Sequence, residues 1–168
     1  MKLIPLTQGR DAIVDDADYE WLRQWKWTLT PRGDRRVGYA YRQEYLGNGK
    51  YRTILMHRAI LGVVDEPDVV TDHRSGFGLD NQRSNLRACT HLQNARNQRK
   101  CTSSTSSRYK GVSWRRRDNR WEARLKVCGR LLFLGLYFDE ADAAEAYNAA
   151  ALRHFGEYAR LNQISRAA

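Results

Sequence analysis

The most constraining feature of this chain is the segment 120–127, in which apolar and charged residues alternate without interruption. The apolar members are Trp121, Ala123, Leu125 and Val127, and the charged members between them are Arg120, Glu122, Arg124 and Lys126. Because successive side chains of a β-strand point to opposite faces, this pattern predicts a strand with one buried apolar face and one charged face.

Similar signals flank this strand and predict a complete small module. Further strands are predicted at 111–114 and 131–136, and Asp139 and Gly156 are predicted to begin and end a helix. The residues at helical spacing on one face of that helix are Ala143, Ala146, Tyr147, Ala150 and Ala151. Alanine would let the helix lie close on the apolar side of the sheet, so the other side is expected to stay open and basic.

The module resembles the AP2/ERF family of DNA-binding domains. The resemblance is carried by Tyr109-Lys110-Gly111-Val112, Trp121-Glu122-Ala123-Arg124, Phe133-Leu134-Gly135, Ala143-Ala144-Glu145-Ala146-Tyr147 and Ala159-Arg160-Leu161-Asn162. It implies a three-stranded antiparallel sheet, packed on one helix, that enters the major groove of double-stranded DNA. The implied DNA contacts are Lys110, Trp114, Arg115, Arg117, Arg120, Arg124, Lys126 and Arg130. Ser113 and Phe133 stand where the family has Arg and Trp, so a different target sequence is expected.

A second informative segment, polar and rich in asparagine, lies between residues 71 and 97. It contains the adjacent pair Asp72-His73, the run Asn85-Leu86-Arg87, and Asn94. Carboxylate and amide oxygens suit a hard divalent cation, and a neutral imidazole beside them suits a general base. These groups together are a plausible set for cutting a phosphodiester with one metal ion.

This segment resembles the HNH nucleases, in the ββα-metal arrangement of phage and intron homing endonucleases. The resemblance implies that His73 is the general base, that Asp72 and Asn94 bind Mg²⁺ or Mn²⁺, and that Asn85 braces the loop. Three arginines are expected to neutralise nearby phosphates: Arg74, Arg87 and Arg96. The preceding Met56-His57-Arg58 also resembles phage HNH proteins, and His57 is expected to be buried or to brace a loop.

The pair Asp72-His73 carries a geometric condition. Neighbours on a strand point to opposite faces, so both side chains can face one metal ion only if the strand ends or bends there. Gly76 and Gly78 follow closely and make such a break plausible. The alternative is a surface hairpin whose Asp and Asn residues merely cap turns.

Charge favours a polyanionic partner. The chain has 168 residues and a net charge of +10, with a pI of about 9.8. Residues 103–130 carry nine Lys and Arg against two Asp and Glu, whereas residues 1–70 carry eleven against ten. Residues 71–102 carry six against two, so positive charge concentrates on the candidate active site and on the segment after it.

The spacing of the cysteines and the lack of a long apolar run argue against disulfide-rich, zinc-stabilised and membrane-spanning proteins. Cys89, Cys101 and Cys128 form no Cys-x-x-Cys pair, which argues against a disulfide framework and a structural zinc. A metal site made of Cys89, His91 and Cys101 is the open alternative. No run of about 18 apolar residues exists, so no membrane span is expected. The short polar N-terminus predicts no signal peptide, and the expected location is a reducing cytoplasm, that of a bacterial host if the gene is phage-borne.

The predicted fold class is α+β, with two domains. An HNH ββα-metal nuclease domain with a small sheet is expected over 1–100, with its core motif at 56–98. A Ser/Thr linker is expected at 101–107, an AP2/ERF-like domain at 108–163, and a tail at 164–168. In the first domain, strands are expected near 12–16, 37–42 and 51–55, a helix through Tyr19, Leu22 and Trp25, and another at 56–61.

The leading hypothesis is a metal-dependent DNA endonuclease of the homing type, nicking or cutting both strands, that is targeted by its C-terminal module. The alternative is a sequence-specific DNA-binding regulator whose HNH half is inactive. A third hypothesis, an RNA-binding or RNA-cutting protein, lacks a recognisable RNA module. No obligatory protein partner is evident, and a monomer is expected.

Overall fold

The computed structural model describes residues 1–30, 38–98, 100 and 106–165. Over these residues the fold is α+β, with four small antiparallel sheets and few helices. The chain forms two compact units, Met1–Asn94 and Ala95–Ala168.

The first unit begins with a hairpin and a short helix. Strand β1 (Lys2–Pro5) pairs antiparallel with β2 (Asp11–Val14), and helix α1 (Asp16–Leu22) follows. The predicted strand and helix are therefore confirmed, although α1 ends before Trp25. Its end is closed by the indole of Trp27, whose Nε1 donates a hydrogen bond of 2.9 Å to the carbonyl of Leu22.

A three-stranded sheet comes next. Strands β3 (Thr28–Leu29), β4 (Ala40–Gly47) and β5 (Lys50–Leu55) lie in that order, and helix α2 (Met56–Leu61) follows at the predicted place. The β4–β5 turn places Asn48 and Gly49 at positive φ, which these residue types tolerate. Part of the strand predicted at 37–42 is β4, and Val37 lies outside the described residues.

The unit ends with a hairpin and the first turn of a helix that continues past Asn94. Strand β6 (Val70–His73) pairs antiparallel with β7 (Leu86–Cys89), and α3 (His91–Asn97) follows directly. The core of the unit is one apolar cluster drawn from nearly all of these elements. Its buried members are Ile4, Leu6, Ala12, Val14, Leu22, Trp27, Ala40, Met56, Ile60, Leu79 and Leu86.

The second unit has the three strands and the helix that the sequence predicts. Strands β8 (Val112–Arg115), β9 (Arg120–Val127) and β10 (Arg130–Tyr137) form an antiparallel sheet with β9 in the centre. Helix α4 (Glu140–Phe155) follows, and the carboxylate of Asp139 caps it by accepting a hydrogen bond of 2.7 Å from the Ala141 N–H. A single 3₁₀ turn, Gly156–Tyr158, ends it.

Helix α4 packs closely on the sheet through small residues. Its buried residues are Ala141, Ala143, Ala144, Tyr147, Ala151 and Phe155. Gly111 shows how tight the packing is: its φ is +76°, and a Cβ there would lie 2.1 Å from the ring of Tyr147. Gly111 is therefore required both for its backbone conformation and for the close approach of the helix.

The predicted linker at 101–107 is described only at its end. Residues 101–105, which include Cys101, lie outside the described residues. Ser106 accepts a hydrogen bond from the Trp114 N–H at 2.8 Å, and Ser107 accepts one from the Tyr109 N–H at 3.0 Å. These two serines thus belong to the fold of the second unit. In the part of the chain that the structure describes, no helix is long and apolar enough to span a membrane.

Candidate functional site

The hairpin of β6 and β7 positions Asp72 against Arg87. The two residues are register partners, and Arg87 donates from Nε and Nη2 to Asp72 Oδ2 at 2.9 and 2.6 Å. Asp72 is 6% exposed and Arg87 is 7% exposed. The structure therefore corrects the expectation that Arg87 faces DNA phosphates, because its guanidinium is buried against a carboxylate.

Cys89 connects Asp72 with the start of α3. Its thiol is buried, and burial raises the thiol pKa, which the nearby charge of Asp72 raises further. The same thiol receives a backbone hydrogen bond from Asn94. Asp72 therefore shares a face of the hairpin with Cys89, and the backbone of Asn94, the other predicted metal ligand, reaches the same thiol.

Asn94 has an amide that is available as a ligand. Among the described residues its side chain makes no hydrogen bond, whereas its backbone N–H donates to the Thr90 carbonyl at 2.9 Å. No group of three or more His, Cys, Asp or Glu residues in the described ranges could hold a metal ion. A metal site here would thus depend on one carboxylate and one amide. The alternative site at Cys89, His91 and Cys101 includes a residue outside the described part.

His73 lies in an aromatic cluster away from Arg87. Its ring stacks on Tyr39 at a centroid distance of 5.5 Å and meets the ring of His57 edge-on at 5.0 Å. Only 4% of His73 is exposed. Asp72 pairs with Arg87 and His73 pairs with Leu86, so the two neighbours occupy opposite faces of the hairpin, and β6 ends at His73.

Asn81 approaches the other side of this histidine. It is fully buried, and its Oδ1 lies 3.4 Å from His73 Nε2 while its Nδ2 donates to the Leu79 carbonyl at 3.3 Å. A neutral His73 that donates from Nε2 keeps Nδ1 as its basic nitrogen. Neither Asn81 nor Tyr39 was identified from the sequence. The available signals were the position of Asn81 within the asparagine-rich segment and the aromatic character of Tyr39.

Both histidines of the cluster are held neutral by burial. Burial lowers the pKa of His73, an effect that Asn81 and the carboxylates of Asp72 and Asp80 oppose. Burial lowers the pKa of His57 to about 3, helped by the proximity of His73 and Arg58. A neutral imidazole is the form that accepts a proton, so the environment suits His73 to base chemistry.

Asn85 joins two ends of the loop between β6 and β7. Its Oδ1 accepts a hydrogen bond from the Ser75 N–H at 2.9 Å, and its Nδ2 donates to the Asp80 carbonyl at 2.7 Å. The backbone N–H of Arg74 also donates to the Asn85 carbonyl at 2.8 Å. Asn85 therefore bridges the loop from within, which is the position that a structural brace requires.

Arg58 organises the segment that leads into β6. Its guanidinium donates to the carbonyls of Val63, Glu66 and Val69. The side chain thus fixes the whole connection between α2 and β6.

Arg74 and Arg96, which were also expected near phosphates, have different surroundings. Arg74 is exposed, whereas the guanidinium of Arg96 lies 4.7 Å from the ring centroid of Phe155.

The second unit presents a charged sheet face, as the alternation predicts. Register partners share a face of an antiparallel sheet. Arg115 pairs with Arg120, and these two lie with Arg124 and Lys126 on the side away from α4. Glu122 lies among them, and its Oε1 accepts a hydrogen bond of 2.6 Å from Arg124 Nε. Four of the predicted DNA contacts therefore share one face.

The other predicted contacts of this unit lie elsewhere. Trp114 pairs with Trp121, and the two rings meet at 5.0 Å on the helix side of the sheet. The Lys110 Nζ donates to the carbonyls of Arg96 and Gln98 at 2.8 and 2.7 Å, which anchors it within the unit. Arg130 pairs with Val127, so its register also directs it to the helix side, and Arg117 is exposed in the β8–β9 turn.

Apolar side chains of β10 that the sequence pattern does not predict also lie on the charged face. Leu131 pairs with Lys126 and Phe133 pairs with Arg124, and they are 56% and 58% exposed. The alternation in β9 predicts the parity of that strand only. The parity of β10 follows from the hairpin register, which the sequence pattern did not specify.

Comparisons with known proteins support both resemblances. The chain is 38% identical over 68 residues to APETALA2-like protein 2 of Oryza sativa, spanning 40% of this chain and 16% of that protein. It is 39% identical over 61 residues to AP2-like ethylene-responsive transcription factor TOE2 of Arabidopsis thaliana, spanning 36% of this chain and 13% of that protein. The chain thus covers only a small part of these two relatives.

A third relative covers more of the chain. It is the uncharacterized HNH endonuclease L560 of Acanthamoeba polyphaga mimivirus, which is 33% identical over 130 residues, spanning 71% of this chain and 66% of the relative. No family model matches the sequence. These relatives show that the chain is a homologue of AP2-type transcription factors and of a protein named an HNH endonuclease. The matches fit a chain that combines an HNH part with an AP2 part.

Proposed function

We propose that this protein is a metal-dependent DNA endonuclease of the homing type, whose second unit binds double-stranded DNA. The proposal rests on one observation above all. In the β6–β7–α3 segment, Asp72 shares a hairpin face with Cys89, the Cys89 thiol accepts a hydrogen bond from the Asn94 backbone, and β6 ends on His73, whose pKa is lowered by burial. The names of the relatives, an HNH endonuclease and AP2-type transcription factors, agree with this assignment.

The donor set suits Mg²⁺ or Mn²⁺. Magnesium is usually held by one or two carboxylates together with substrate phosphates, so one carboxylate and one amide oxygen from the protein are sufficient. Asp72 and Asn94 would hold the ion. When bound, it would polarise the scissile phosphate and stabilise the leaving 3′ oxygen.

The remaining chemistry belongs to the protein's own residues. His73 accepts the proton of the attacking water at Nδ1, while Asn81 holds the Nε2 side of the ring and Tyr39 stacks on it. Arg87 fixes the carboxylate of Asp72 by binding one of its oxygens. Asn85 keeps the connecting loop in shape, and the exposed Arg74 is placed to meet a phosphate.

The second unit supplies binding. The face with Arg115, Arg120, Arg124 and Lys126 is the surface expected to enter the major groove. Two different units, one for chemistry and one for recognition, are what a targeted endonuclease needs. We expect the protein to act as a monomer.

One observation favours a second candidate, a DNA-binding regulator with an inactive HNH half. His73 is almost fully buried, and Asp72 is already paired with Arg87. A catalytic base must reach the water that it activates. If His73 stays covered when DNA is bound, the first unit would position DNA without cutting it.

A plasmid-nicking assay decides between the two functions. The full chain should convert supercoiled DNA to open-circular or linear DNA with Mg²⁺ or Mn²⁺, and EDTA should stop it. His73→Ala should lose about 10²- to 10⁴-fold in rate while DNA affinity stays within about twofold. His154→Ala, which removes an exposed histidine of α4, should cut at the wild-type rate.

The other outcomes assign the function differently. Tight DNA binding with no cleavage under any metal condition would make the protein a regulator. Cleavage that survives both EDTA and His73→Ala would remove the proposed site. Stronger competition by RNA than by DNA would indicate an RNA-directed protein.

A further inference from the structure

The third strand of the second unit carries a row of exposed apolar side chains. Leu131 and Phe133 are 56% and 58% exposed, and Leu136 is exposed as well. Their register partners in β9 are Lys126, Arg124 and Glu122, which place all three on the charged face. Exposed apolar side chains arranged in a row usually mark a binding surface.

A β-bulge extends this row. The register shifts between Phe133 and Gly135, where Gly135 has a φ of +139°. Without the shift, strict alternation would place residue 135 on the charged face and Leu136 against the helix. The bulge brings Leu136 to the same side as Leu131 and Phe133, so the row continues over the length of β10.

The neighbouring charges indicate which partner this surface fits. Arg124 and Lys126 are exposed beside Phe133 and Leu131, so these two apolar side chains are bordered by cations, whereas Leu136 lies beside Glu122. A DNA major groove offers the matching pattern, because phosphates flank the base edges. One base among the four carries an apolar group on that edge, the C5-methyl of thymine.

We infer that Leu131 and Phe133 determine specificity by contacting the C5-methyl groups of thymines in the bound site. The inference rests on the proposed DNA binding by the second unit. Cytosine lacks the methyl group and purines present only polar atoms at that edge, so these side chains would favour thymine over the other bases. The preferred thymines lie next to the positions that Arg124 and Lys126 contact.

The test removes single methyl groups from the DNA. A preferred site is first selected with the full chain from random duplexes, and each thymine in it is then replaced by deoxyuridine. One or more of these replacements should weaken binding about four- to tenfold, the effect of losing a buried methyl contact. Replacement of any other thymine should leave the affinity unchanged, since deoxyuridine pairs with adenine as thymine does.

The matching protein variants are Leu131→Ala and Phe133→Ala. Each variant should bind the selected site more weakly than the wild type. At the thymine that the removed side chain would contact, replacement by deoxyuridine should no longer change the affinity. Leu152→Ala, which truncates an exposed leucine of α4, should keep the full preference for thymine. Because all three side chains are exposed, the variants should melt at the wild-type temperature.

Three outcomes would overturn the inference while leaving the proposed function in place. One is tight binding to a selected site that is indifferent to every deoxyuridine replacement. Another is a thymine preference that persists in both Ala variants. The third is concentration-dependent self-association, seen by sedimentation, that both variants abolish without any change in thymine preference. Failure to bind any duplex would instead reject the proposed function.

Discussion

Arg87 donates two hydrogen bonds, of 2.9 and 2.6 Å, to a single oxygen of Asp72, and both side chains are buried. A buried charge is tolerated only when it is paired, so this residue pair has a structural role in addition to any role in catalysis. Asp72 therefore stabilises the fold and is also one of the two proposed metal ligands. Its substitution cannot be interpreted from activity alone.

The first prediction concerns that pair. Arg87→Met leaves the Asp72 carboxylate buried without its cation and should lower the free energy of unfolding by about 3–5 kcal/mol. The double variant Asp72→Leu/Arg87→Met removes both charges and should recover much of the loss. Urea unfolding of the single and double variants measures both effects.

Arg74→Met is the control for Arg87. Arg74 is exposed, so its loss should cost far less stability than the loss of Arg87 and should reduce the salt dependence of DNA binding. If Arg87→Met instead behaves like Arg74→Met, with normal stability and a weaker salt dependence, Arg87 contacts phosphate and the buried pair is not its main function.

The second prediction concerns the loop brace. Asn85→Ala removes hydrogen bonds to the Ser75 N–H and the Asp80 carbonyl and should cost about 1–3 kcal/mol for each group left unpaired. Asn85→Asp keeps an acceptor for Ser75 but faces the Asp80 carbonyl with an oxygen, so it should also destabilise. Thermal unfolding checks both, and Ser84→Ala at an exposed neighbouring position should change nothing. Equal melting temperatures for Asn85→Ala and wild type would show that the β6–β7 loop does not depend on the Asn85 side chain for its stability.

The third prediction concerns pH. The pKa of His57 falls from 6.5 to about 3 on folding, so between these values the unfolded chain binds a proton that the folded chain does not. Stability is therefore full above pH 6.5 and falls as the pH drops below it, by up to ~1.4 kcal/mol per pH unit. His73, whose pKa burial also lowers, adds a contribution of the same sign.

His57→Phe tests the pH dependence. It keeps an aromatic ring against Tyr39 and His73 but removes the titrating group, so stability measured between pH 7 and pH 4 should fall less steeply than in the wild type. His154→Phe, at an exposed position, should keep the wild-type slope. An unchanged slope in His57→Phe would mean that His57 does not carry this effect.

The fourth prediction separates two lysines of the second unit. Lys110→Met loses the hydrogen bonds to the Arg96 and Gln98 carbonyls, so it should lower the melting temperature without changing the salt dependence of DNA binding. Lys126→Met, on the exposed charged face, should keep the melting temperature and reduce the slope of log K against log salt by about 0.9. The same response in both variants would contradict the placement of Lys110.

Local patterns were sufficient to predict most of the second unit. The alternation in β9 predicts its two faces, and Asp139 and Gly156 mark the ends of α4, because pleating and helix capping depend on residues close in sequence. The helix at Met56–Leu61 was likewise predicted at its observed bounds. The position of the bulge in β10 was not, since a shift in register depends on the partner strand.

The sequence by itself was sufficient to predict the strands and the helix of the second unit, helix α2, the concentration of charge on the second unit, and Asp72, His73 and Asn85 as candidate site residues. Only the tertiary structure decided what each of those residues touches. Arg87 reaches Asp72 through strand pairing, Tyr39 reaches His73 from just before the start of β4, and Lys110 reaches the backbone carbonyls of Arg96 and Gln98. The physical reason is that a periodic pattern specifies which face a side chain occupies, whereas its partner depends on elements distant in sequence that pack against that face.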